Sequence, residues 1–498
     1  METTIKDLKK ILIVGAGNAG LISALILKST FPTKLIHVIK SDKLGIIGVG
    51  ESSTEHLSSF LKHVGISDHD LIKHCGVTFK SGVYFQGFGS DDFLHHVSPP
   101  YFKKRNDYYL MYGHIIGNRK RKIDMYPEFY NYAQLPVNFF ENSSQSPVSQ
   151  YHLDTVKFNE YLIKLCQDRG ITIVEDEIKE VVLNNKGDVD KLNGKNRQHE
   201  ADLFIDCTGF RRLLAKKLNF EWVSYKKYLP VNSAVAFPTD EMKEYNIYTL
   251  AKTMKSGWLW RIPTQTRTGN GYVFNKDFTT LDEVQKEIRS LYKNNIKIER
   301  SFEFEPGYYK QMWKNNVVIA GLAGSFLEPL EATSIGSTIQ QMFILIHFLP
   351  ADDRKSTNRQ YFYLMENIFN FVALHYYVKK DSSKFWKHVS KDLPFTDFLK
   401  EYLPIWNTRL PQDGDFLGNW NMFAAPNFIH ILFGLGLFDL SAILKECNVH
   451  PFRARQDFNT LLEKQKKWER SCIKMSHKQC INLIKNSKDK VVKRSEIY

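Results

Sequence analysis

Cysteine is scarce in this chain and carries no pattern. The six cysteines (Cys75, Cys166, Cys207, Cys447, Cys472 and Cys480) include no CxxC pair and no metal-ligand spacing. That excludes a disulfide framework and a zinc module, predicts no metal, and fits reduced thiols in a cytoplasmic protein. Long hydrophobic runs are also missing. The most apolar late stretch, Phe428 to Leu444, is interrupted by His430 and Asp439 and reads as amphipathic rather than membrane-spanning. The start, Met1-Glu2-Thr3-Thr4-Ile5-Lys6, lacks the pattern of a signal peptide, so a soluble protein is expected. Negative charge is in deficit, with 54 acidic against 68 basic side chains and a net charge of +14. The basic residues are scattered until Glu463, after which lysines crowd into what reads as a solvated helix and tail. No nucleic-acid module precedes them, so nucleic acid is not an expected partner.

What is present is length and aromatic side chains. A chain of 498 residues exceeds one simple core and predicts two large modules or one elaborated one. The 35 Phe and 24 Tyr exceed what a core strictly needs, and some are free to line a pocket for a flat molecule, although each one singly reads as core. Near the start, Ile11 to Val14 runs into Gly15-Ala16-Gly17-Asn18-Ala19-Gly20 and then into Leu21 to Leu27. Strand, tight turn and helix in that order form a dinucleotide cradle: the glycines let the backbone turn and approach a pyrophosphate at the helix start. The second strand, Lys34 to Ile39, ends on Lys40 where such folds usually carry an acid for the ribose, which leaves Ser41 or Asp42 to substitute, or another mode of holding it.

Six further stretches follow. Leu44 to Ser53 is a glycine-rich turn containing Glu51, with a helix expected from Thr54 to Val64. Gly76 to Phe85 alternates as one strand, and a lone lysine on it, Lys80, is ordinarily a solvated edge residue. Leu94 to Ser149 has little periodicity and reads as an insertion or lid. Leu203 to Asp206, closing on Gly209, is the kind of strand that returns to a bound FAD. In Gly257-Trp258-Leu259-Trp260-Arg261-Ile262-Pro263 the two tryptophans share one face of a strand. Asn316 to Ile335 reads as strand, loop and helix, a place for backbone N–H groups to hold an anion. Beyond Gln340 helices are expected at Met342–Phe348, Asn358–Val378, Thr396–Tyr402 and Phe428–Cys447.

Four of these stretches, in this order, resemble the flavin-dependent halogenases, the family of the tryptophan halogenases: Gly48-Val49-Gly50-Glu51, the Phe79-Lys80 strand followed by Phe88, Trp258-x-Trp260-x-Ile262-Pro263, and Glu328-Pro329-Leu330-Glu331-Ala332-Thr333-Ser334. The resemblance implies an α/β fold with a two-motif, Rossmann-like FAD module, an antiparallel sheet and a mostly helical C-terminal cap. It divides the chain into residues 1–345, with the insertion at about 94–150, and residues 346–498. It implies FAD held by Gly15, Ala16, Gly17, Ala19, Gly20, Ser41, Leu44, Ile47, Val49, Glu51, Ser52, Leu322 and Ile335. Halide would sit at Thr333 and Ser334, the latter standing where the family often has glycine. Trp258, Trp260, Ile262 and Pro263 would line the passage between flavin and substrate, with Lys80 and Glu331 as catalytic residues. The expected activity uses FADH2 from a separate flavin reductase, dioxygen and chloride, bromide or iodide to make hypohalous acid. Lys80 would relay this to an electron-rich aromatic small molecule of indole or phenol type. Two alternatives remain, an FAD-dependent aromatic hydroxylase and a non-catalytic flavin-binding protein, and monomer and homodimer are equally open. His375-Tyr376-Tyr377 and Phe385-Trp386-Lys387 resemble the family's helical cap.

Overall fold

The computed structural model describes residues 8–41, 51–96, 134–136, 150–292, 296, 298, 300–449, 456, 459–460, 463 and 474–486. Its organising layer is a six-stranded sheet in the order Trp313–Lys314, Val317–Ile319, Leu203–Asp206, Lys10–Val14, Leu35–Lys40 and Thr172–Glu175. All neighbours are parallel except the first pair. Parallel strands are covered on both faces, which is why they read as unbroken apolar runs. The helix Asn18–Thr30 buries every residue from Gly20 to Leu27, because it is wedged between this sheet and the helices Thr155–Asp168, His56–Val64 and Thr333–Phe348.

A seven-stranded sheet forms the second layer, in the order Arg300–Glu303, Ser233–Thr239, Thr268–Phe274, Gly257–Pro263, Tyr248–Met254, Gly82–Gln86 and Phe93–His95. It is antiparallel apart from the pairing of Tyr248–Met254 with Gly82–Gln86. A small sheet of Glu51–Ser52, Gln150–Leu153 and Thr78–Lys80 lies between the two large ones in the chain's path. The remaining helices include Arg354–Leu374, Lys384–Lys391, Asp397–Trp406, Ala425–Gly434, Leu440–Val449 and His477–Asn486. One apolar core runs from Ile11 and Leu25 through Ile339 to Phe371 and Trp406.

The structure corrects several expectations. Gly76 to Phe85 is two strands: Thr78–Lys80 joins the small sheet and Gly82–Gln86 the seven-stranded one, because the chain changes partner at Ser81, whose N–H donates to the Ile247 carbonyl. Lys80 is fully buried, which departs from the ordinary edge-strand lysine and agrees with the burial expected of it from the family resemblance. Phe428 to Cys447 is two helices, separated at Gly436, where φ is +69°. The expected helices at Thr54, Met342, Asn358 and Thr396 run instead as His56–Val64, Thr333–Phe348, Arg354–Leu374 and Asp397–Trp406. Part of the lysine-rich end is packed: His477, Cys480, Ile481 and Ile484 of the last helix are buried. Most of the insertion at 94–150, and Leu44, Ile47 and Val49, lie outside the described residues.

Candidate active site

The parallel strands end together, and their C-terminal ends open on a cleft of about 580 Å³. Gly15, Ala16, Gly17, Ala19, Lys40, Ser41, Arg211, Leu322, Ser334 and Ile335 all line it. The three glycines serve different ends. Gly15 has φ +116°, and a Cβ there would stand 2.3 Å from the Cys207 carbonyl oxygen. A Cβ on Gly20 would stand 1.9 Å from the Gly15 oxygen, whereas Gly17 has open space on its bare side. A dinucleotide fits this lining: Gly17 lets its phosphates approach the helix start, and Ser41 Oγ is buried with no partner among the described residues. Lys40 lies 3.6 Å from Glu175, so its charge is partly answered within the protein. Ser52 belongs not to this cleft but to the cavity beside it. Glu51 pairs through its backbone with Leu153.

That second cavity, of about 130 Å³, shares Phe210, Leu322 and Ser334 with the cleft and extends to Trp258, Trp260, Ile262, Glu328, Glu331 and Thr333. The two indole rings lie 6.1 Å apart, as their place on one strand face dictates. Thr333 and Ser334 open the helix Thr333–Phe348 at the cavity's edge. Just before them, Glu331 and Ala332 both adopt left-handed backbone conformations, φ +65° and +56°. Such geometry costs about 1–3 kcal/mol per non-glycine residue and is kept where surrounding structure enforces it.

The turn delivers Glu331 to a buried pair of imidazoles. Its Oε1 lies 2.8 Å from His95 Nδ1 and 2.9 Å from His375 Nε2. His95 Nε2 accepts from the Asn427 amide at 3.2 Å, so Nδ1 is its donor. His375 Nδ1 donates to the Phe371 carbonyl at 2.8 Å, and its Nε2 therefore meets Glu331 with a second proton shared in the pair. Burial alone would raise the Glu331 carboxyl, but the contacts to His95 and His375 outweigh it and hold the carboxyl well below the usual range. Its other oxygen, Oε2, is buried without a partner among the described residues.

Lys80 has no exposure, and its Nζ donates to the Ser53 carbonyl at 2.8 Å. Burial pushes the ammonium down to about 8, against the opposing pull of Glu331. The structure thus brings Lys80 and Glu331 into electrostatic contact, although only Glu331 lines the cavity. Around Lys80 the backbone is fixed on several sides. Its strand pairs with Gln150–Leu153, Thr78 Oγ1 donates to the Pro263 carbonyl at 2.7 Å, and the Phe79 N–H donates to His477 Nε2 at 3.0 Å. The tryptophan-bearing strand and the lysine-bearing strand are therefore joined directly at Pro263.

Sequence reasoning did not find His95, Asn427, His477 or Glu328. His95 stood in a stretch without periodicity, and His375 was noticed only as part of a helical segment. Among the described residues no group of His, Cys, Asp and Glu is arranged to hold a metal, and no helix is long and apolar enough to cross a membrane.

Comparison with known proteins gives a consistent picture. The family model described as tryptophan halogenase matches residues 10–442. The chain is 28% identical to tryptophan 6-halogenase SttH of Streptomyces toxytricini, covering 91% of this chain and 94% of that one. It is 26% identical to tryptophan 7-halogenase RebH of Lentzea aerocolonigenes, over 86% and 89% of the two chains. Among solved structures, Tar14, a tryptophan C-6 flavin-dependent chlorinase from taromycin biosynthesis, superposes with TM-score 0.84 at 25% identity over 96% and 99%. A tryptophan halogenase from Shewanella frigidimarina NCIMB 400 has the same fold, with TM-score 0.84 at 24% identity over 97% and 98%.

Proposed function

This chain belongs to the tryptophan halogenase family of flavin-dependent enzymes, and from that premise we propose that it halogenates an electron-rich aromatic small molecule, of indole or phenol type, through Lys80 and Glu331. The observation that carries the reading is the burial of Lys80, a lysine with no exposure, one carbonyl partner and a carboxylate as its neighbouring charge. An isolated buried ammonium is costly, and a fold retains one where chemistry uses it.

FAD would be held in the cleft by the Gly15–Gly20 turn, Ser41, Leu322 and Ile335. When bound in its reduced form, supplied by a separate reductase, it furnishes the electrons that turn dioxygen and halide into hypohalous acid. Thr333 and Ser334, at a helix start on the border of cleft and cavity, hold the halide. The cavity then leads past Trp258 and Trp260, whose bulk separates substrate from flavin. Lys80 donates a hydrogen bond to the oxygen of the hypohalous acid and aims its halogen at the ring. Glu331 offers Oε2 to the cationic ring that forms and takes its proton. A carboxylate held this far down is a weak base, yet a protonated aromatic ring is so strong an acid that a weak base suffices.

The test is the full-length protein with FAD, a flavin reductase, NADH, air, each halide separately and a panel of indoles and phenols, read by mass spectrometry. Halogenated products from the native chain and none from Lys80→Met, with flavin binding intact in both, are expected. Hydroxylated products would instead identify an aromatic hydroxylase.

A further inference from the structure

Glu328 is a buried acid on the cavity wall that this scheme leaves unused. It lies three residues before Glu331, is 3% exposed and lines the cavity that connects the cleft to Glu331. Among the described residues both of its hydrogen-bond donors fall on one oxygen: Trp258 Nε1 donates to Oε2 at 3.1 Å and the Tyr376 hydroxyl at 2.8 Å. Oε1 is buried with no partner among the described residues. A carboxylate would leave a naked anionic oxygen in an apolar wall. A neutral acid removes the conflict: Oε2 is the carbonyl that receives both donors, and Oε1 carries the proton toward the cavity. Among the described residues the surrounding charges offer no alternative partner. Glu331 on the same segment is engaged with its two histidines, Arg300 lies at the exposed rim, and the Tyr376 phenol is held protonated by burial and by Glu328 itself.

We propose that Glu328 is a catalytic acid of the passage, donating its Oε1 proton to hypohalite and so delivering the oxidant to Lys80 as neutral hypohalous acid. The step is balanced: the carboxylic acid O–H bond breaks, the hypohalite O–H bond forms, no electron changes hands, and the carboxylate recovers its proton from water. Hypohalous acids lose their proton in the neutral to mildly alkaline range, and the anion is a poor electrophile because its oxygen leaves badly. Burial pushes the Glu328 carboxyl up to about 7, against the pull of Tyr376 and Trp258, so its proton is exchangeable where the oxidant's is. The indole N–H of Trp258 thereby gains a task beyond bulk, that of fixing which oxygen faces the cavity. This assignment rests on the halogenase reading above.

The test uses Glu328→Gln and Glu328→Asp in the full-length protein. The glutamine amide keeps the shape, accepts from Trp258 and Tyr376, and donates into the cavity, but has no proton to give. Infrared difference spectra of the flavin-free protein, native minus Glu328→Gln, should show a protonated carboxylic acid band that fades as pH rises through about 7, the similarly raised Glu55 cancelling in the difference. In turnover, halogenated product per reduced flavin consumed should fall on the order of a hundredfold in Glu328→Gln, with flavin binding unchanged and partial recovery in Glu328→Asp. A missing infrared band, or Glu328→Gln as productive as the native chain, overturns the proposal. A band present while the native chain makes only hydroxylated product refutes the halogenase reading and the oxidant named here, and leaves only the buried proton.

Discussion

A lysine without exposure, beside one carbonyl oxygen, is held as an ammonium at a cost that the rest of the fold must offset. Its value falls from 10.5 in the unfolded reference to about 8 in the folded chain, which corresponds to about 3 kcal/mol of destabilisation. The sign is definite. Below about pH 8 both states are protonated and the penalty is full; as pH rises toward 10.5 the folded state sheds the proton first and the penalty disappears. Lys80→Met should therefore raise stability at pH 7 by up to about 3 kcal/mol in denaturant unfolding, with the gain shrinking above pH 8. On the function proposed above, with the ammonium as the working form, halogenation should fall as pH rises through about 8. Glu331 raises Lys80, so Glu331→Gln should both slow product formation, by about a hundredfold or more, and move that alkaline fall to lower pH. A pH–rate profile for the two chains checks both effects. Neither residue's role was legible from spacing. Lys80 and Glu331 came from family resemblance alone, while His95 and His375 were hidden because no local pattern links either of them to Glu331.

Among the elements, the turn Glu331–Ala332 aims the carboxylate. Two successive left-handed residues cannot be relaxed without swinging Glu331 out of reach of its histidines. Ala332→Gly should leave stability within about 1 kcal/mol of the native chain, since relief of strain and added unfolded-state entropy nearly cancel. Ala332→Val, β-branched at φ +56°, should cost about 2 kcal/mol or more and lower turnover, as thermal melts and assays would show. In the six-stranded sheet Lys10–Val14, Leu35–Lys40, Leu203–Asp206 and Val317–Ile319 were readable because each is a short apolar run bounded by turns, whereas the two-residue edge strand Trp313–Lys314 carried no such run. The break at Ser81 was not, because apolar alternation continues across it while the pairing partner changes. The split of the late apolar helix was signalled by Gly434 and Gly436, but amphipathic periodicity on both sides masked it.

For the molecule as a whole, the order of the chain and the order of the site are unrelated. The dinucleotide cleft draws on the first 41 residues and on the segments around Asp206 and Leu322, whereas the lysine strand is buttressed by the helix His477–Asn486, which lies beyond the family match at 10–442. His477 is doubly engaged: Nε2 accepts the Phe79 N–H, and Nδ1 donates to the Tyr245 carbonyl at 3.2 Å. Burial pushes its imidazole down to about 3, so it stays neutral and keeps both bonds throughout the working range. His477→Ala should cost about 2–4 kcal/mol through two orphaned backbone groups and speed hydrogen exchange at Phe79, while His477→Gln, able to accept and donate alike, should restore most of the loss. No sequence signal marked this contact, since a lysine-rich segment reads as solvated whatever its buried face holds.

The contact between Phe79 and His477 spans 398 positions. A chain emerging from the ribosome folds its early segments first, so the strand that bears Lys80 meets His477 only after the segment 398 positions further on has been made. An unfinished or clipped chain could fill its nucleotide cleft yet lack the brace behind Lys80. A cut ahead of His477 would in this way uncouple the cleft from the lysine beyond it, so what the last helix protects is the proposed guidance of the oxidant and not its proposed source.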